Sequence, residues 1–195
     1  MLASWLNIAN LLTFLRLLAI PFAVQAILHG EHGRALAIVL VAALTDTVDG
    51  AVARRFGVAT SVGAYFDPIV DKLFLSAVYV SLAVRTGLPP WWLVIEIFAR
   101  DVLILASSGA LLLYGKRRFP PSIWGKASTF LQIALALTLL VNNAFGNIAP
   151  AGLIEALFWA VAALTAFSGI HYLWRALRHS SSGSSAAIDG GLARE

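Results

Sequence analysis

The segment DTVDGAVARRFGVATSVGAYFDPIVD, residues 46–71, places four of the ten acidic side chains of the chain within 26 residues, on stretches that are otherwise largely apolar. Their spacing is helical on both sides of the central Arg54-Arg55 pair. Asp46, Asp49, Gly50 and Ala53 fall on one stripe of a helix, and Gly63, Asp67 and Asp71 repeat every fourth residue on another. Gly50 and Gly63 remove side chains beside the acids, which lets a neighbouring helix or a phosphate approach the backbone closely.

Outward from this segment the chain is made for lipid. Of its 195 residues 59% are hydrophobic and 12% charged, with a mean hydropathy of +0.83, whereas soluble domains carry about 25% charged residues. A water-soluble enzyme and a nucleic-acid-binding domain are excluded on this ground. The net charge of +4 instead reports membrane topology and anionic headgroups. With no cysteine, thiol catalysis and thiolate metal sites are excluded as well.

A spanning helix needs about 20 mostly apolar residues. Division at charged or Pro/Gly-rich punctuation predicts six, near 8–28, 35–54, 61–84, 90–113, 123–144 and 151–174. The expectation is an all-α, polytopic membrane protein with six transmembrane helices, comprising a membrane domain over residues 1–178 and a disordered polar tail over 179–195. Arg54, Arg55, Lys116, Arg117, Arg118, Lys126, Arg175, Arg178 and Arg194 lie on one side, against Arg34 and Arg85 on the other. The positive-inside rule then puts both termini in the cytoplasm. The first span has no basic region before it and contains Arg16, so it reads as a retained helix and not a cleaved signal.

A carboxylate at membrane depth is costly and is neutralised, paired or set in a wet cavity. At 1.5 Å rise per residue, Asp46 and Asp49 stand roughly 12 and 8 Å back from Arg54, and Asp67 and Asp71 roughly 9 and 15 Å beyond Ser61. Two antiparallel neighbours would present all four at one depth. The nearest counter-cations in sequence are Arg54 and Lys72, so divalent metal is the natural neutraliser. All-oxygen ligation suits Mg²⁺ or Mn²⁺, and two such ions about 4 Å apart form a clamp for phosphoryl displacement. The competing reading is that helix-end carboxylates pair with Arg54, Arg55 and Lys72.

The run Asp46-x2-Asp49-Gly50-x2-Ala53-Arg54-x8-Gly63-x3-Asp67-x3-Asp71 resembles the signature of the CDP-alcohol phosphatidyltransferases at all of its specified positions. These are six-helix membrane enzymes, commonly homodimers, that move a phosphatidyl or related group from a CDP-linked donor to an alcohol and release CMP. The resemblance implies that Asp46, Asp49 and Asp67 bind metal. Asp71 would complete that site and act as general base on the acceptor hydroxyl. Gly50, Ala53, Arg54 and Gly63 would line the cytidine-diphosphate pocket. It also implies a bacterial inner or plasma membrane location and a second copy of the chain as partner.

In the first span Asn7, Asn10, Thr13 and Arg16 recur at i+3 steps. In the family such a segment borders the donor site, so Asn10 and Thr13 are candidates for the nucleotide and Arg16 for a phosphate; polar packing between helices is the alternative. Arg100-Asp101 reads either as a self-neutralising pair or as a site where Arg100 meets a phosphate. Lys126, Thr129 and Gln132 share one side of the fifth span, and with Arg117 and Arg118 they make a cationic mouth for an anionic acceptor. This segment resembles the branch containing phosphatidylglycerophosphate synthases and CMP-forming cardiolipin synthases, with CDP-diacylglycerol as donor. Arg100-Asp101-Val102 and Ser168-x2-His171-Tyr172 lean toward cardiolipin synthase, whose acceptor is phosphatidylglycerol; glycerol 3-phosphate is the alternative. An ion-coupled transporter is a more distant one, but it predicts acids near the midplane with broken, repeated helices.

Overall fold

The computed structural model describes residues 8–56, 63–113 and 123–189, and within these the side chains of 13–45, 68–106 and 123–174. Six helices are present and, among the described residues, no strand: α1 (Ile8–Leu28), α2 (His32–Phe56), α3 (Gly63–Thr86), α4 (Trp91–Leu113), α5 (Ile123–Ala144) and α6 (Ala151–Asp189). Five correspond closely to the expected spans. The sixth is longer and continues through the serine-rich run to Asp189; no proline interrupts residues 151–189, and serine tolerates a helix.

The turns explain where the helices stop. Gly30, at φ 78°, ends α1: its N–H donates to the Ile27 carbonyl at 3.0 Å and the Glu31 N–H to that of Ala26 at 2.9 Å. This double closure is the Schellman motif, whose left-handed position favours glycine. After α5, Asn147 takes φ 61° and its N–H reaches back to the Asn142 carbonyl at 2.7 Å. The Asn142 side chain donates to Asn147 Oδ1 and accepts from the Ala149 N–H, so the asparagines of this turn satisfy one another.

The chain forms two compact units, Met1–Val94 with Gln132–Phe158, and Ile95–Leu131 with Trp159–Glu195. In the first, α1 lies against both α2 and α3. Ala23, Ala26, Ala35 and Ala42 give α1 and α2 small buried faces, against which Ile27, Phe74, Val78 and Leu82 fill the core. Tyr79 of α3 donates its hydroxyl to the Gln132 carbonyl of α5 at 2.7 Å. Beside Gly30, Arg85 Nη2 lies 3.1 Å from where a Cβ would stand, so the α1–α2 turn and the end of α3 meet. In the second unit, Ser128 and Thr165 join α5 to α6 at 3.2 Å, and Trp124 meets Phe167 edge to face at 4.9 Å between centroids.

The surface is apolar where a soluble protein's would be polar. Phe14, Leu44, Ile95, Phe130, Trp159 and Ile170 are each more than half exposed, while Arg16, Arg100, Asp101, Gln132 and Asn142 are buried. Among the described residues, Ile123–Ala144 and Ala151–Trp174 are long and apolar enough to cross a membrane, and Thr13–Leu28 and His32–Thr45 are shorter apolar helices.

Candidate active site

In the first unit the site begins on α1. Thr13 and Arg16, one turn apart, are both buried, at 9% and 6% exposure. Arg16 Nη1 forms an ion pair with Asp71 Oδ1 on α3, across 55 residues of sequence. The guanidinium end is enclosed and the carboxylate end open, with side-chain exposures of 5% and 40%. The seating of α1 against α3 makes this contact possible. An arginine drawn from another helix is therefore a counter-cation of the acidic segment, beyond Arg54 and Lys72, which were the nearest in sequence.

The remaining acids are placed by backbone alone. Asp46 and Asp49 lie ten and seven residues before the end of α2 at Phe56, about 15 and 10 Å along the axis, and Asp71 lies eight residues, about 12 Å, after the start of α3 at Gly63. These positions approach the gap between α2 and α3 from its two sides and fall at similar distances from it. The side chains of Asn10, Asp46, Asp49, Gly50, Ala53, Arg54, Gly63 and Asp67 lie outside the described residues, as do Arg117 and Arg118 entirely. Among the described residues no group of three or more metal-ligating side chains occurs.

The second unit holds a separate buried polar cluster. Arg100 and Asp101, exposed by 6% and 5%, are bonded Nη1 to Oδ1 at 2.7 Å. Arg100 Nη2 donates to Ser168 Oγ at 3.0 Å and to the Gly125 carbonyl at 3.3 Å, which ties α4 to α5 and α6. Arg100 Nε is enclosed with no hydrogen-bond partner. A Cβ at position 125 would stand 3.2 Å from Arg100 Nη2 and 3.4 Å from the Tyr172 ring, so glycine there makes room for the guanidinium. Of the two readings of Arg100-Asp101, the ion pair is formed.

The stripe of Lys126, Thr129 and Gln132 does not act as one face. Lys126 is exposed, Thr129 turns its hydroxyl back to the Gly125 carbonyl at 3.1 Å, and Gln132 is fully buried. A half-buried hydroxyl within reach of its own i−4 carbonyl closes that bond. The contributions of Gly125 and Ser168 to holding Arg100 escaped the sequence reading. Ser168 had been noted only as part of a motif, and nothing in the spacing links position 100 to 168.

Comparison with known proteins places the chain in a family. The sequence model of the CDP-alcohol phosphatidyltransferases matches residues 6–167. A Mycobacterium tuberculosis protein named "Probable phosphatidylglycerophosphate synthase" is 35% identical over 179 residues, 88% of this chain and 82% of that one. A Streptomyces coelicolor cardiolipin synthase (CMP-forming) is 33% identical over 167 residues, covering 80% of this chain and 74% of the other. The crystal structure of M. tuberculosis phosphatidylinositol phosphate synthase with CDP-DAG bound has the same fold, with a TM-score of 0.64 at 19% identity, covering 90% of this chain and 89% of that chain. The chain thus belongs to the CDP-alcohol phosphatidyltransferase family.

Proposed function

We propose that this enzyme moves a phosphatidyl group from CDP-diacylglycerol to the hydroxyl of an anionic, glycerol-bearing acceptor and releases CMP. The observation that carries the reading is the Arg16–Asp71 pair, a buried cation set against an acid of the family signature. The chain works as a six-span protein with both termini in the cytoplasm and with a second copy as partner. Its apolar exterior and its nine cytoplasmic-side cations against two support this topology.

Asp46, Asp49, Asp67 and Asp71 supply the all-oxygen donor set that two Mg²⁺ or Mn²⁺ ions require, and such ions would neutralise the donor diphosphate and the leaving phosphate. The open side of the Asp71 carboxylate leaves it room for ligation. In the reaction Asp71 takes the proton of the acceptor hydroxyl. The acceptor oxygen bonds to the phosphorus bearing the diacylglycerol, and the bond from that phosphorus to the oxygen of CMP breaks. Once Arg16 turns to the donor phosphate, the Asp71 carboxylate can accept the proton. Asn10, Thr13, Gly50, Ala53, Arg54 and Gly63 line the nucleotide side.

Arg100, Arg117, Arg118 and Lys126 receive the anionic group of the acceptor. Two nitrogens of Arg100 are fixed by Asp101, Ser168 and the Gly125 carbonyl. Two acceptors suit this chemistry. Phosphatidylglycerol is favoured by the Arg100-Asp101-Val102 and Ser168-x2-His171-Tyr172 segments, and glycerol 3-phosphate by the longer match to the phosphatidylglycerophosphate synthase relative. CMP release from CDP-diacylglycerol by purified protein with Mg²⁺, with each acceptor offered alone, decides between them. No release with either would overturn the assignment to this branch.

A further inference from the structure

Arg16 and Asp71 meet within the first unit, where α1 lies against α3. The two ends of the pair are unlike. The guanidinium is enclosed, at 5% side-chain exposure, and the carboxylate keeps 40%. Thr13, one turn earlier, is buried too, so Arg16 extends from a packed face of α1. An approaching ion therefore meets the carboxylate before it meets the arginine. The acids of residues 46–71 repel one another, and the guanidinium offsets the charge of one of them. A divalent ion offsets more. Held by the other oxygen of Asp71, such an ion would stand about 4–5 Å from the guanidinium. At that separation, away from bulk water, a double and a single positive charge repel strongly.

We propose that Arg16 and a divalent cation compete for the Asp71 carboxylate, the guanidinium holding the place of the ion until the ion arrives; the inference rests on the metal reading of the four acids. The pair is suited to such an exchange. Its carboxylate is open to ligation, and its cation comes from a different helix, so a change of side-chain rotamer separates the two without moving α3. While no ion is bound, Arg16 lowers the repulsion that an open cluster of carboxylates would otherwise carry at membrane depth. Once an ion is bound, the guanidinium turns toward an anion, and a diphosphate supplies one. Ion and diphosphate therefore each favour the binding of the other through Arg16, and by linkage the effect is the same in both directions.

The test is Mn²⁺ binding by the full chain in detergent without donor, read from the electron paramagnetic resonance of the free ion. Arg16→Met removes the cation and keeps a long side chain that a membrane helix accepts. It is expected to lower the Kd for Mn²⁺ about threefold to tenfold, the scale of coupling between groups in contact. On an Asp71→Asn background the same change is expected to move the Kd less than about twofold. In the unsubstituted protein carrying [¹⁵N]arginine, the Arg16 Nε–H resonance, identified by its loss in Arg16→Lys, is expected to shift on saturation with Mg²⁺. Unchanged or weaker Mn²⁺ binding by Arg16→Met would mean that the arginine supports the ligand and does not contend with the ion. Equal tightening on both backgrounds would mean a general field effect. Either result, or an Arg16 resonance unmoved by Mg²⁺, would overturn the competition while leaving the metal reading intact. Absence of Mn²⁺ binding by the unsubstituted chain would overturn both.

Discussion

Arg16 and Asp71 show how one contact changes the reading of a site. From sequence, the acids formed a self-repelling group in need of metal; the structure adds a buried guanidinium that reaches Asp71 from another helix. That partner was illegible because 55 residues separate the two, whereas the i+3 and i+4 spacing that made the acids conspicuous is local. Asp71→Asn keeps the shape, loses the base, and is expected to lower turnover roughly a hundred- to ten-thousand-fold. Near-parent CMP release by a folded variant would refute that role. Arg16→Lys retains a cation without the bidentate fork and is expected to keep more activity than Arg16→Ala, as read from kcat/KM for the donor. In the second unit, Gly125→Ala would set a Cβ 3.2 Å from Arg100 Nη2. Displacing that guanidinium is expected to raise the acceptor KM about threefold to tenfold, an effect of about 1 kcal/mol, with the donor KM unchanged.

At the scale of elements the sequence was most readable. Five helices agree with the expected spans within three residues at either end, because apolar runs of this length punctuated by Gly, Pro and charge leave little choice. What periodicity missed is the local competition of polar groups. Thr129 bonds its own helix, and Asn142 and Asn147 serve the α5–α6 turn. The Ser-rich run following the last apolar span was expected to be a tail, yet it prolongs α6, since nothing in its covalent geometry forbids a helix. The α1–α2 turn depends on Gly30 at φ 78°, with the Arg85 guanidinium 3.1 Å from where a Cβ would stand. Gly30→Ala is expected to cost about 1–2 kcal/mol from the left-handed backbone alone, seen as a lower midpoint of thermal unfolding in detergent.

On the scale of the molecule, the distribution of polarity is inverted, with Arg16, Arg100 and Asp101 inside and large apolar side chains outside. Because the chain has no cysteine, single-cysteine probes can map the topology directly. Cysteines at Glu31 and Phe145 are expected to react with a membrane-impermeant maleimide in intact cells, and those at Lys126 and Arg178 only after permeabilisation; the reverse pattern would turn the protein over. The Arg100–Asp101 and Arg16–Asp71 pairs also differ in when they can form during synthesis. Arg100 and Asp101 are neighbours, so α4 reaches the bilayer with its charge already compensated. Arg16 leaves the ribosome 55 residues before Asp71, an interval of about 3–11 s at ordinary bacterial elongation rates. Through that interval the Asp71 partner of Arg16 is not yet made. The arrival of α3 therefore brings α1 the Asp71 carboxylate, and the same side chain that the proposed chemistry uses also ties the third helix to the first.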